Sequence, residues 1–148
     1  MTRQAETQST FDEKEWAKTL KRLRRANRDI GLRAASYIEI DYFPDRDYLY
    51  VTLSEEKANL GVADYLNSDP SFEVAYYDPQ TFVIGGFDVP FFLEKSAQRS
   101  FEDVWSIIAA KIQGGSLASI DNYQRYAPTG LEAERLAGAL QALIDHAA

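Results

Sequence analysis

The 148-residue chain has no cysteine and a single histidine, His146. Without thiols there is no disulfide frame, no thiolate metal site and no cysteine nucleophile, and the composition fits a reducing cytoplasm. With one histidine, hydrolytic triads and the usual zinc ligand sets also lack members. His146 falls near the end of an expected helix, where a cation is mildly favoured, and reads as incidental. No apolar run approaches the ~20 residues that cross a bilayer. The first ten residues are polar, so no secretory signal is expected. Gly85-Gly86 and Gly114-Gly115 lack the strand–loop–helix setting and the following Lys-Ser/Thr of a phosphate loop. No cofactor or metal is expected, and the chain reads as soluble and cytoplasmic.

Aromatic residues are abundant instead: 9 Tyr and 8 Phe, with an overall aromatic share of 13%. Tyrosine suits positions where the ring is half-buried and the hydroxyl stays wet, as on a sheet face or an interface. The net charge of -7 is unevenly placed. Residues 1–35 hold nine basic and five acidic side chains, whereas residues 36–148 hold seven and eighteen. The body should therefore repel nucleic-acid backbones that the N-terminal segment could attract.

A loose tail is expected over 1–9, followed by one α+β domain over 10–148. Thr10 and Glu13 have the spacing of a capping box. The helix they open is expected to run to about Ile30, with Gly31 ending it. Its apolar stripe, Trp16, Leu20, Leu23 and Ile30, is interrupted by Asn27, where a fifth apolar residue belongs. Lys14, Lys18, Lys21, Arg25 and Arg28 form an opposing stripe at the same 4-3-4 spacing.

Two hairpins follow, spaced thirty-four residues apart and similar in pattern, within a sheet region over 37–89. Strands are expected over 37–43 and 48–53, joined by Pro44-Asp45-Arg46-Asp47, and over 72–77 and 82–89, joined by Asp78-Pro79-Gln80-Thr81. Alternation buries Ile38, Ile40, Tyr42, Leu49, Val51 and Leu53, and turns Glu39, Asp41, Tyr48, Tyr50 and Thr52 outward. Gly85-Gly86 inside the last strand suggests a bulge. Residues 54–68 hint at a short helix through Leu60, Ala63 and Leu66. The remainder, 98–147, reads as helical. One helix is capped near Ser100 and ends at Gly114-Gly115, a loop or short helical turn covers 116–127, and a last helix follows Thr129. The expected fold is a four-stranded antiparallel meander with an N-terminal helix and two C-terminal helices.

The hairpin sequence Tyr42-x-Pro44-Asp45-x-Asp47-x-Leu49-Tyr50-Val51-x-Leu53 resembles the opening of a bacterial family, domain of unknown function 2283. Val74-x-Tyr76-Tyr77-Asp78 and Val83-Ile84-Gly85-Gly86-Phe87-Asp88-Val89 are similar to its second hairpin, with Gly86 as an extra residue. The resemblance covers roughly 38–89 and implies a fold more than an activity. Some members look like partners of small toxins.

Two candidate sites emerge. Glu39, Asp41, Glu73, Tyr48, Tyr50 and Tyr77 are expected to share the outward sheet face, a tyrosine-and-acid surface suited to a basic protein partner. Paired carboxylates there could also serve acid–base chemistry, but no cleft or further ligand is evident. The second candidate is the basic stripe, Lys14, Lys18, Lys21, Arg25 and Arg28, which could grip phosphates or simply be a solvated helix face. Leu136, Leu140 and Leu143 would allow a homo-oligomer but suit a core equally well. The expected role is therefore non-catalytic: protein binding, accessory or antitoxin-like, with nucleic-acid binding through residues 14–28 as the alternative.

Overall fold

Alternation builds the first hairpin as expected. In the computed structural model, which describes residues 12–54, 61–67, 73–98 and 103–147, β1 (Glu39–Phe43) and β2 (Tyr48–Thr52) pair antiparallel, with Ile40 opposite Val51 and Tyr42 opposite Leu49. The tail over 1–9, Thr10, Leu60, Phe72 and Ser100 lie outside the described residues.

The chain is α+β with an antiparallel sheet, but the sheet has seven strands where four were expected. β3 (Val62–Tyr65) occupies the stretch read as a short helix. β4 (Val74–Tyr77) and β5 (Ile84–Pro90) form the second hairpin. β6 (Ala118–Ile120) and β7 (Tyr123–Tyr126) replace the loop expected over 116–127. Asp121 at φ 47° permits the two-residue Asp121-Asn122 turn between them, a left-handed position that aspartate tolerates.

The order is β3-β4-β5-β2-β1-β7-β6, so the expected meander is also corrected. β5 rather than β4 lies beside β2, which makes β2 to β5 a Greek key. The expected bulge is present. Tyr76 faces Gly86 while Tyr77 faces Ile84, which leaves Gly85 as the extra residue. That insertion lets Ile84 and Phe87, an odd number of positions apart, face the same core.

The helices form the other layer. α1 (Glu13–Ala26) is capped by Asp12, which accepts from the Lys14 and Glu15 N–H groups. It stops four residues before the expected end. Asn27 is fully buried and its side chain donates back to the Leu23 carbonyl (2.8 Å), competing with helix continuation. A separate helix, α2 (Ile30–Ser36), follows and takes in Gly31, whose N–H donates to the Gln141 side chain (2.8 Å). α3 (Phe92–Ser96) has its N-terminus held by the β1–β2 turn. The Asp47 carboxylate accepts from the Leu93 N–H (2.7 Å) and from the Tyr42 hydroxyl (2.8 Å).

α4 (Val104–Gln113) is capped by Asp103 and ends, as expected, at Gly114-Gly115. α5 (Gly130–Asp145) follows Thr129, whose side chain makes no cap bond. Leu136 and Leu140 are buried in the core and Leu143 packs partly buried against it. Ile40, Leu49, Val51, Phe87 and Val89 from the sheet meet Leu23, Ile30, Phe92, Ile108, Leu136 and Ile144 from the helices in one apolar cluster. Each fully buried side chain of this size is worth about 1.5–3 kcal/mol of transfer free energy.

Candidate functional site

With the helices on one side, the remaining polar and aromatic residues of the central strands share the opposite face. One register row crosses the whole sheet: Ala118, Arg125, Asp41, Tyr50, Asp88, Val74, Tyr65. Tyr48, Glu39, Gly86 and Tyr76 flank it on the same face by alternation.

The expected residues do not all meet there. Glu39, Asp41, Tyr48 and Tyr50 do. Tyr77 does not: it belongs to the core cluster, its ring lies 5.1 Å from that of Phe82, and its hydroxyl bonds Asp64. Glu73 does not either, being buried and 3.5 Å from the Lys95 ammonium. The hairpin echo fails because β4 has the opposite phase to β1. Ala75, the small residue that fits opposite Phe87 beneath the helices, fixes odd-numbered positions inward. Tyr76 and Asp88 take the places assigned to Tyr77 and Glu73. The signal for Asp88 lay in the sequence: once a bulge at Gly85 is granted, Phe87 and Val89 must face inward and Asp88 outward.

Asp88 is the hub of this face. It is only 3% exposed, and the hydroxyls of Tyr48 and Tyr76 both donate to the same oxygen, Oδ2. Tyr50 stands edge-on to Tyr76 with centroids 6.0 Å apart. Burial pushes the Asp88 carboxyl above the usual range, against the pull of the two hydroxyls and the charge of Arg46. Burial, then the bond to Asp88, raises Tyr48 in turn and lifts Tyr76 to about 12. Glu39 and Asp41 share one cation from β7, which offsets one of their two charges. The Arg125 Nε donates to Asp41 at 3.0 Å and lies 3.6 Å from Glu39, and chiefly through the bond to Asp41 its pKa is raised. The face is thus tyrosine-rich, with part of its acidity offset by Arg125.

Gly86 makes room for this arrangement. A Cβ there would lie 2.9 Å from the Val51 carbonyl oxygen and 3.1 Å from the Tyr50 hydroxyl. Gly86→Ala should therefore cost about 1–3 kcal/mol, read as a lowered urea midpoint, together with altered near-ultraviolet circular dichroism from the displaced tyrosines. Unchanged stability and spectrum would show that the tyrosine cluster does not depend on the missing side chain.

The basic stripe is assembled on the helix as expected. Lys14, Lys18, Lys21, Arg25 and Arg28 are exposed, on the side of α1 and its following turn away from buried Leu20 and Leu23. Lys18 lies 3.6 Å from Glu15 in an exposed i, i+3 pair. The other arginines of α1 serve the fold: Arg22 stacks 3.9 Å over the Phe82 ring, and Arg24 donates to the Ala147 carbonyl at 2.8 Å.

Among the described residues no group of three or more His, Asp or Glu side chains is placed to hold a metal ion, and no helix is long and apolar enough to cross a membrane. Comparisons with protein-family models, curated proteins and solved structures give no match. What the fold defines is a class: an α+β protein with a helix-covered, seven-stranded antiparallel sheet.

Proposed function

We propose that this protein is a non-catalytic binding module that recognises another protein through the tyrosine-rich face of its sheet, as an accessory or antitoxin-like partner. The observation that carries this reading is the half-buried trio Tyr48, Tyr50 and Tyr76 gathered around one buried carboxylate on the face turned away from the described helices. Tyrosines held in place by hydrogen bonds offer contact area at low entropic cost, the composition of an interface core.

A second reading, nucleic-acid binding, is favoured by one observation, the five exposed cations on one side of α1 and its turn. One experiment separates the two. Purified wild-type protein, Tyr50→Ala and the charge reversal Lys18→Glu/Lys21→Glu/Arg25→Glu are used as baits in host extract, and each is titrated with DNA and RNA at low salt. Protein binding through the sheet predicts a stoichiometric companion that Tyr50→Ala loses by at least about tenfold, and that the charge reversal retains. Nucleic-acid binding predicts the reverse sensitivity, with a log–log salt slope of about -4 if all five cations meet phosphates. A lone monomer with no companion and no nucleic-acid shift at any salt would remove both readings.

A further inference from the structure

Among the described residues this face carries three carboxylates, and two of them share one arginine. Arg125 bridges Glu39 and Asp41, and its guanidinium carbon lies 5.4 Å from the Tyr123 ring centroid. Asp88 has no cation in contact, and the charge of Arg46 reaches it only from beyond ion-pair distance. No Lys or Arg lies within ion-pair distance of it among the described residues, and its hydrogen bonds come from the two tyrosine hydroxyls. A buried carboxylate whose cation stands beyond contact is costly, and a cation placed in contact from outside would relieve that cost.

The tyrosines determine what kind of cation fits. Each hydroxyl has a single proton, and in Tyr48 and Tyr76 that proton is committed to Asp88. What the two phenol oxygens offer elsewhere is lone pairs, made more negative by the carboxylate behind them. The cluster is therefore an acceptor-only surface framed by aromatic rings. A planar guanidinium suits such a surface better than an ammonium does. It donates through a rigid fork, stacks on rings and is weakly hydrated. The same face already uses this pairing twice, since Arg46 lies 5.1 Å and 5.3 Å from the Phe43 and Tyr48 rings and Arg125 stands over Tyr123.

We infer that Tyr48, Tyr76 and Asp88 form an anchor for one arginine side chain of the protein partner. The inference rests on the protein-binding reading and names the chemistry of its hot spot.

Asp88→Asn provides a clean test. Both tyrosine bonds fall on Oδ2, so an amide oxygen in that place keeps them while the charge is removed. Blocked Gly-Arg-Gly, Gly-Lys-Gly and Gly-citrulline-Gly peptides are titrated into the full-length protein, following the backbone amide signals of Tyr50, Tyr76 and Asp88 by NMR. The expected result is saturable millimolar binding of the arginine peptide. Citrulline, its neutral isostere, should bind at least about tenfold more weakly, as should arginine to Asp88→Asn, a loss of about 1.4 kcal/mol. Lysine should fall between. No saturation by the arginine peptide up to about 20 mM, a range set by the ~4 kcal/mol of a millimolar contact, would overturn the anchor. Equal binding of citrulline, or undiminished binding to Asp88→Asn with its thermal melt unchanged, would do so too. If those outcomes came alongside a companion that Tyr50→Ala still loses, protein recognition would stand and only the arginine anchor would fall. Arginine binding without any companion protein would have the opposite meaning.

Discussion

Asn27→Leu, which completes the apolar stripe of α1, is expected to destabilise the fold by about 3–6 kcal/mol, where naive core repair would predict a gain. The buried Asn27 side chain ties three elements together. Its amide group donates to the Leu23 and Phe82 carbonyls at 2.8 and 2.7 Å. Its oxygen accepts from the Ile84 N–H at 2.9 Å and from the Arg33 guanidinium at 2.6 Å. Leucine would leave the Ile84 donor and the Phe82 acceptor without their partner in the interior. It would also strip Arg33, whose pKa is already lowered by burial, of an acceptor. Unsatisfied groups of this kind cost about 1–3 kcal/mol each. Asn27→Asp keeps an oxygen to accept from Ile84 and Arg33 but sets a second acceptor against the Leu23 and Phe82 carbonyls. It should therefore also destabilise, and less so at low pH, where the carboxyl regains a proton to donate. Urea titration of the three proteins, at neutral and at low pH, checks both effects. A leucine variant within about 0.5 kcal/mol of wild type, inside the range of ordinary surface changes, would refute the keystone role.

The second large effect is alkaline. Tyr42, Tyr48, Tyr50, Tyr76 and Tyr77 all have raised pKa values, in each case chiefly through burial. For four of them a hydrogen bond to an aspartate adds to the rise: Tyr42 to Asp47, Tyr48 and Tyr76 to Asp88, and Tyr77 to Asp64. Between the unfolded value near 10 and the raised folded values, the native state holds protons that the unfolded chain has lost. Stability is then full below pH 10 and falls as pH rises past it, by up to about 1.4 kcal/mol per pH unit for each tyrosine. Five acting together give a slope of about 5–7 kcal/mol per unit at most, enough to unfold a domain of ordinary stability within one to two units of pH 10. Tyrosinate absorbance near 295 nm should rise cooperatively and coincide with loss of far-ultraviolet circular dichroism. Gradual ionisation of all nine tyrosines in a protein still folded at pH 12 would contradict the buried pairs.

The two hairpins were legible in the sequence because their residues alternate and because Pro44 and Pro79 punctuate the turns. Gly85-Gly86 likewise disclosed the bulge. The three further strands were not. β3 is partly exposed along its length, and β6 has three residues, so neither develops an apolar period. β7 contributes Gln124 and Arg125 to central pairings whose value depends on partners far away in sequence. On the sheet face, Glu39, Asp41, Tyr48 and Tyr50 followed from alternation alone. Glu73 and Tyr77 do not follow it, because Ala75 meets Phe87 in the core and sets the phase of β4. Asn27 was visible as a gap in a stripe, but its bonding to Phe82 and Ile84, 55 and 57 positions away, was not.

The place of β7 has a consequence for the order in which the molecule can be completed. β1 is an interior strand only because residues Gln124 to Tyr126 come to lie along it, opposite Tyr42 to Ile40. While the ribosome is still adding the segment after α4, the first ribbon must wait with one margin of its backbone unsatisfied. Such a margin invites pairing with a neighbouring nascent chain. Closure across more than eighty positions of sequence is a late and slow event. Variants that weaken the Asp121-Asn122 turn are therefore a hazard to yield during synthesis as well as to the finished fold.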